Sequence, residues 1–454
     1  MAVPIRNISA SGYAGNTHMK TDTRAMSVAT ALFFMVGFLT CLNDIIIPHL
    51  KSIFALNYAE VLTVQFAFFT SYFVFSYPGG ALVEKIGYKK TMVVGLIIMA
   101  IGAAGFIPAA NLAQFSIFIC ALIILAAGIT VVQVAVNPYV TVIGPPKTAS
   151  SRLNLAQAFN SVGTFIAPFF GSVLILHNAV PVITAKGLVS MPEIERQAYR
   201  AAQASTVRLP YIGITFILFF LAIALALTKL KPQTGMTELT QDFRSGSFAE
   251  ALAKPDSIWH HPWLIAGTLG IFTYVGAEVT IGSLLVNYMG LPNIGGLVQS
   301  VAAKFLMVYW GGAMIGRFLG SAILQRVRTG PVLSIAAIGA FALVMISLLT
   351  YGHFAMYALL FVGFFNSIMW PSIFTLGIQN LGPLTSKGAS LMLMASIGGA
   401  LIPLGTGVLA DRIGLHPAFI IPAICYIYIT IFGLVAIRRP AAGFARLNWP
   451  TLSI

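Results

Sequence analysis

Apolar runs long enough to matter recur twelve times along the chain, punctuated by Pro, Gly and charge. They fall at roughly 27–50, 60–82, 91–110, 115–143, 153–176, 208–229, 262–288, 301–325, 331–351, 354–378, 388–409 and 416–437. A bilayer core needs about 20 apolar residues per helix, so each run predicts one crossing. Two longer polar interruptions stand out, 177–207 between the fifth and sixth runs and 230–261 between the sixth and seventh. The second carries Pro232, Glu238, Asp242, Arg244, Lys254 and Asp256. The predicted architecture is an all-α membrane protein of twelve helices in two six-helix bundles. Residues 27–229 form the first and 262–437 the second, with a linker at 230–261 and tails at 1–26 and 438–454.

Composition agrees. Of 454 residues, 58% are apolar and 8% charged, and the mean hydropathy is +0.90. A soluble surface needs roughly 25% charged residues, so soluble enzymes, secreted disulfide modules and disordered proteins are excluded. The net charge of +14 comes from Lys and Arg spread over short loops, not from a dense patch, and implies a membrane rather than nucleic acid as partner. With the N-terminus inside, eighteen of these residues fall on the cytoplasmic side and seven on the outer side. Three of the seven sit in 177–207 and a fourth, Arg208, borders it, and long loops count little for orientation. Both termini are expected in the cytoplasm, and no cleavable signal precedes the first run. Cys41, Cys120 and Cys425 lie in apolar stretches and read as small hydrophobes, with no disulfide framework or metal cluster.

The second half echoes the first. Ser161-x-Gly163 followed by Pro168 reappears as Ser396-x-Gly398 followed by Pro403, 235 residues on. Gln133 stands five residues before Pro138, and Asn366 five before Pro371, an offset of 233. Asp44 falls opposite Glu278 at 234. Two homologous halves are the architecture in which transporters place a substrate site at the interface near mid-membrane.

Only two of the twelve acids, Asp44 and Glu278, lie inside runs. Each would cost about 2.5–3.5 kcal/mol facing lipid at a helix centre, so both are expected to face an interior. Away from the run ends, Arg317 is the single basic candidate partner; two acids therefore outnumber the fixed cations, and one is expected to take a mobile ion, H+ or Na+. Neutral polar residues form stripes. Thr130, Gln133, Asn137 and Thr141 share one helix face, and Gln157, Asn160, Ser161 and Thr164 another. Tyr274, Glu278 and Asn287 mark the seventh run, Asn366 and Trp370 the tenth. An amide donates and accepts, as a sugar hydroxyl does, and an aromatic plate suits the C–H face of a pyranose. The other use of such amides is bonding between helices. No phosphate loop, intramembrane histidine or Ser/His/acid set occurs, so neither ATP, metal, cofactor nor catalysis is expected.

Gly80-Ala-Leu82-Val-Glu84-Lys85-Ile-Gly87-Tyr-Lys89-Lys90 resembles the loop 2–3 signature of the major facilitator superfamily, its gating loop, with Glu84 and Lys85 replacing the usual Asp and Arg. A look-alike at Gly407–Gly414 falls on the outer side and is not read as that loop. Leu42-Asn43-Asp44-Ile-Ile-Ile-Pro48, Gln133-Val-Ala-Val-Asn137-Pro138-Tyr139-Val140, Arg152-Leu-Asn154-Leu-Ala-Gln157-Ala-Phe-Asn160-Ser161-x-Gly163 and Tyr274-Val-Gly-Ala-Glu278 resemble the fucose/galactose/glucose–cation symporter family. That resemblance implies a monomeric symporter of the bacterial inner membrane, importing a neutral monosaccharide with a cation. Asp44, beside Asn43, would couple the cation. Gln133 stands where the fucose branch has a second acid, and is similar to the hexose and N-acetylglucosamine branch. Gln133, Asn137, Gln157, Asn160, Glu278, Asn287, Asn366 and Trp370 are the expected sugar contacts. A drug/proton antiporter of the same fold and a Na+-coupled sugar symporter are the alternatives.

Overall fold

The structure, a computed structural model, describes residues 20–54, 58–171, 191–230 and 257–439. It is helical throughout, as a chain in hydrocarbon must be when every backbone N–H and C=O needs an internal partner. In chain order the helices are α1 (Thr23–Phe54), α2 (Tyr58–Leu112), α3 (Phe115–Val142), α4 (Ala149–Gly171), α5 (Glu193–Ser205) and α6 (Arg208–Leu227). The second half contributes α7 (Pro262–Met289), α8 (Gln299–Ile323), α9 (Thr329–Leu349), α10 (Gly352–Asn366) and α11 (Met369–Gly377). It ends with α12 (Thr385–Met394), α13 (Gly398–Ile413), α14 (Leu415–Ala418) and α15 (Ile420–Arg438).

Ten stretches among the described residues are long and apolar enough to cross a membrane. The count of twelve is recovered from two particulars. The stretch Phe66–Leu112 is 47 residues long and breaks at Gly87, whose φ of 80° and ψ of 166° are not helical; it holds the second and third crossings, expected as separate runs. Helix α4, 23 residues long, is the fifth, too rich in Ser, Asn and Gln to register by hydropathy. Three later crossings are interrupted: α10 gives way to α11, α12 to α13 through a 3-10 turn at Ala395–Ile397, and α14 to α15. The connection 177–207, expected as a polar interruption, contains the amphipathic α5, in which Glu193 accepts from Gln197 Nε2 at 3.0 Å and pairs with Arg196. Residues 172–190, and most of the linker expected at 230–261, lie outside the described residues.

The Ser-x-Gly repeat has a packing reason. A Cβ on Gly163 would collide with the backbone carbonyl of Phe34 in α1, and one on Gly398 with that of Phe272 in α7. Both glycines let two backbones approach, the small-residue solution to helix packing without a hydrophobic drive. Thus α1 packs on α4 and α7 on α13 in the same way. Apolar side chains cover the outside, with Phe216 and Phe220 on α6 and Ile335 on α9 exposed, while the interior holds the polar residues.

One end of the assembly is shut by contacts between halves. Ser150 Oγ lies 2.7 Å from both Thr329 Oγ1 and Thr375 Oγ1. Ser151 Oγ donates to Ser321 O at 2.7 Å, and Ser321 Oγ returns to Ser151 O at 3.0 Å. On the other diagonal, Gly80 sits against Ser390 with no room for a side chain, and Glu84 lies 3.9 Å from Lys387 Nζ. This end carries Lys85, Lys89, Lys147, Arg152, Arg326 and Arg328.

Candidate functional site

Two clusters of polar side chains occupy matching places in the two halves. In the first, Gln133 Nε2 on α3 donates to the Tyr72 hydroxyl on α2 at 2.9 Å. In the second, Asn366 Nδ2 on α10 donates to the Tyr309 hydroxyl on α8, also at 2.9 Å. The amides are 233 residues apart and the tyrosines 237, so the internal repeat extends to one hydrogen bond. Sequence reading found the amides and missed both tyrosines, whose offset departs by four residues from that of the amides.

The second-half cluster is closed. Asn366 has no exposed surface, and its Oδ1 accepts from the Tyr426 hydroxyl at 2.7 Å. Tyr274, Tyr309 and Tyr426 are equally buried. The Tyr274 hydroxyl lies 2.7 Å from Glu278 Oε1 and 3.0 Å from the backbone O of Asn366. Its single proton serves the carboxylate while Glu278 is ionised; if Glu278 is protonated, the acid donates to the tyrosine oxygen and the tyrosine proton turns to Asn366 O. The pair thus holds either charge state. No Lys, Arg or His nitrogen among the described residues lies within 4.0 Å of Glu278.

The first-half cluster is open. Gln133 is half-buried and its carbonyl oxygen accepts nothing from the described residues. Gln157 is 8% exposed. Its backbone O accepts from Ser161 Oγ and from Arg317 Nη1, but its side-chain amide bonds to no described residue and is not sealed from solvent. An amide with unspent donors and an acceptor in a narrow interior is what a hydroxylated ligand needs.

The other expected contacts fare differently. Asn160 Nδ2 donates to Phe33 O on α1 at 3.0 Å and Thr164 to Gly37 O at 3.3 Å, so these residues join helices as well as bordering the interior. Asn137 is fully buried, donates back to Gln133 O at 2.8 Å and leaves Oδ1 sealed without a partner. Trp370 is buried with one face stacked on Phe374 at 5.0 Å. Asn287 is exposed near the end of α7, about 13 Å along the axis from Glu278 at 1.5 Å per residue, and is not brought to the cluster. Asn43 and Asp44 fall in the helical run of α1, but their side chains lie outside the described residues. Of the gating-loop residues, Gly87 makes the backbone break and Gly80 and Glu84 meet the second half, as described; Lys85 is exposed.

Two arginines take shape only in three dimensions. Arg152 spends its donors on carbonyls: Val140 O at 3.1 Å, Thr141 O at 2.8 Å and Pro145 O at 2.8 Å, pinning the turn between α3 and α4. Arg317, noted in the sequence only as a lone interior cation, reaches between the halves. Its Nε donates to Ser367 O at 3.2 Å, and its Nη1 to Gln157 O at 3.4 Å and to Ser161 Oγ. The acceptor at Ser367 has a local cause: Pro371, four residues on, has no N–H to give it, and the helix breaks there between α10 and α11.

Comparison with known proteins agrees with this arrangement. A model of the Major Facilitator Superfamily matches residues 27–392. A glucose/galactose transporter of Brucella abortus biovar 1 (strain 9-941) is 46% identical over 411 residues, 90% of this chain and 93% of that protein. The L-fucose-proton symporter of Escherichia coli (strain K12) is 37% identical over 403 residues, 88% of this chain and 90% of its own. Among solved structures, FucP in the outward conformation superposes with a TM-score of 0.80 at 36% identity, over 90% of this chain and 98% of that one. The proton:xylose symporter XylE bound to 6-bromo-6-deoxy-D-glucose shares the fold, with a TM-score of 0.65 at 13% identity over 94% of this chain and 95% of that one.

Proposed function

The chain belongs to the major facilitator superfamily, and from that premise we propose that it imports a neutral monosaccharide, of glucose/galactose or N-acetylglucosamine type, by cation symport. It is a multi-pass membrane transporter and not an enzyme. The reading rests on one observation: the unspent carbonyl oxygen of Gln133 and the unspent amide of Gln157 belong to the half opposite Glu278, a carboxylate with no cation within 4.0 Å among the described residues. Sugar hydroxyls satisfy both, donating to the carboxylate and exchanging bonds with the amides. A site built this way rejects a ligand lacking the hydroxyl, because its own polar groups are then left unpaired.

Asp44, the repeat counterpart of Glu278, is the cation-coupling residue, with H+ as the ion and Asn43 beside it. The shut end of the assembly is its cytoplasmic face, in keeping with the Lys and Arg gathered there, so the chain stands outward-facing with both termini in the cytoplasm of a bacterial inner membrane. Residues 27–229 and 262–437 rock about the site as two bodies, and one monomer suffices. The glucose/galactose and fucose-proton relatives support both the substrate class and the ion.

In proteoliposomes, labelled glucose, galactose, fucose and N-acetylglucosamine are offered under an imposed pH or Na+ gradient. Uphill accumulation of a hexose or N-acetylhexosamine driven by the pH gradient is expected. Asp44→Asn is expected to abolish accumulation while sparing counterflow exchange; a variant that still concentrates sugar like the wild type removes Asp44 from the coupling role.

A further inference from the structure

Arg317 is the cation that connects the two halves inside the membrane. A guanidinium has five N–H donors and cannot shed its charge. Here three acceptors are on hand: Ser367 O in its own half, and Gln157 O and Ser161 Oγ on α4 of the other. The two α4 acceptors belong to the same closure as Ser151 and Ser321, which lie further along α4 and α8. When the halves part at this end, Arg317 keeps Ser367 O and loses both others. A charged group stripped of acceptors within a membrane is costly, so a replacement is required. Glu278 is the interior acid of the same half, and no Lys, Arg or His nitrogen among the described residues lies within 4.0 Å of it. The two are linked through adjoining peptides, since Tyr274 touches both the Glu278 carboxylate and Asn366 O while Arg317 holds the next carbonyl, Ser367 O.

We propose that Arg317 is a positioning residue that exchanges partners during transport, holding α4 when this end is shut and pairing with Glu278 when it opens. Shut, the exchange leaves Glu278 free for a ligand hydroxyl; open, it neutralises Glu278 and favours release. The inference rests on the alternating-access reading above, but its test needs neither a sugar nor an ion gradient. A failed uptake panel would therefore leave it standing.

The test reads closure directly. In a variant with Cys41, Cys120 and Cys425 changed to Ser, Ser151→Cys and Ser321→Cys place a thiol pair across the shut end, and the oxidative cross-linking rate in membranes measures how long that end stays closed. Arg317→Gln is expected to lower the rate at least fivefold, because the bridge is gone. Glu278→Gln is expected to raise it, because the open state loses Arg317's alternative partner. In the double variant the Glu278→Gln effect is expected to vanish, since it acts through Arg317. A folding defect cannot move the two single variants in opposite directions. An unchanged rate in Arg317→Gln, a fall in Glu278→Gln, or a Glu278→Gln effect that survives without Arg317 would each overturn the proposal.

Discussion

The two halves descend from one plan and have put it to different uses. Both set an amide 2.9 Å from a tyrosine hydroxyl at matching positions, and both press a glycine of a Ser-x-Gly motif onto a facing backbone carbonyl. In the second half a further tyrosine, Tyr426, donates to Asn366 Oδ1, so that amide is held at both ends, and Tyr274 meets one oxygen of Glu278 and leaves the other open. In the first half Gln133 keeps its oxygen and Gln157 its whole amide. A satisfied network rigidifies; an unsatisfied one recruits a ligand. On the proposed reading, the difference teaches that the second half supplies a stiff frame around one charge, and the first the groups offered to a hydroxylated molecule.

Four sets of substitutions test that contrast, the largest effect first. Gly163→Leu and Gly398→Leu each force a side chain against a backbone carbonyl that cannot turn away. Each is expected to cost about 3 kcal/mol, read as loss of folded protein in detergent thermal melts. Equal damage supports one plan in both halves, and damage in one alone breaks it. Next, Asn366→Ala strands the Tyr309 and Tyr426 hydroxyls in a dry interior, at about 1–3 kcal/mol for each group; it should lower the melting temperature sharply and leave sugar affinity within threefold. Gln157→Ala should do the reverse, weakening affinity by calorimetry at least tenfold, or about 1.4 kcal/mol, with melting unchanged. Similar behaviour from the two variants would erase the distinction between frame and recognition.

The tyrosines carry the same contrast at smaller scale. Tyr309→Phe is expected to cost about 1 kcal/mol of stability, whereas Tyr72→Phe should instead weaken sugar binding a few-fold, because it frees Gln133 to turn. Smallest of all, Glu84→Gln removes a half-exposed pair with Lys387 at 3.9 Å. Such pairs contribute about 0–1 kcal/mol, so stability should be unchanged, and any slowing of transport would come from easier opening of the shut end.

Much of this was legible before any coordinates. Twelve crossings, the repeat and the placing of Glu278 in an interior follow from hydrophobic run length and the cost of charge in lipid, which act residue by residue along the chain. Even the break before Met369 is local, since Pro371 lacks an N–H wherever it stands. Merged crossings at Gly87 and the helix in 193–205 escaped because a run count registers neither a kink within continuous helix nor an amphipathic segment.

The meaning of each amide was a different matter. Gln157, Asn137 and Asn366 look alike on their helical stripes, yet the first is unspent, the second sealed with an orphaned oxygen, and the third filled by tyrosines 57 and 60 residues away. Arg317 reached Gln157 across 160 residues. Periodicity tells which face of a helix a side chain occupies, because that depends on neighbours three and four positions away. Whether its hydrogen bonds are already taken depends on atoms from other helices, and only the packed fold brings those within 3 Å.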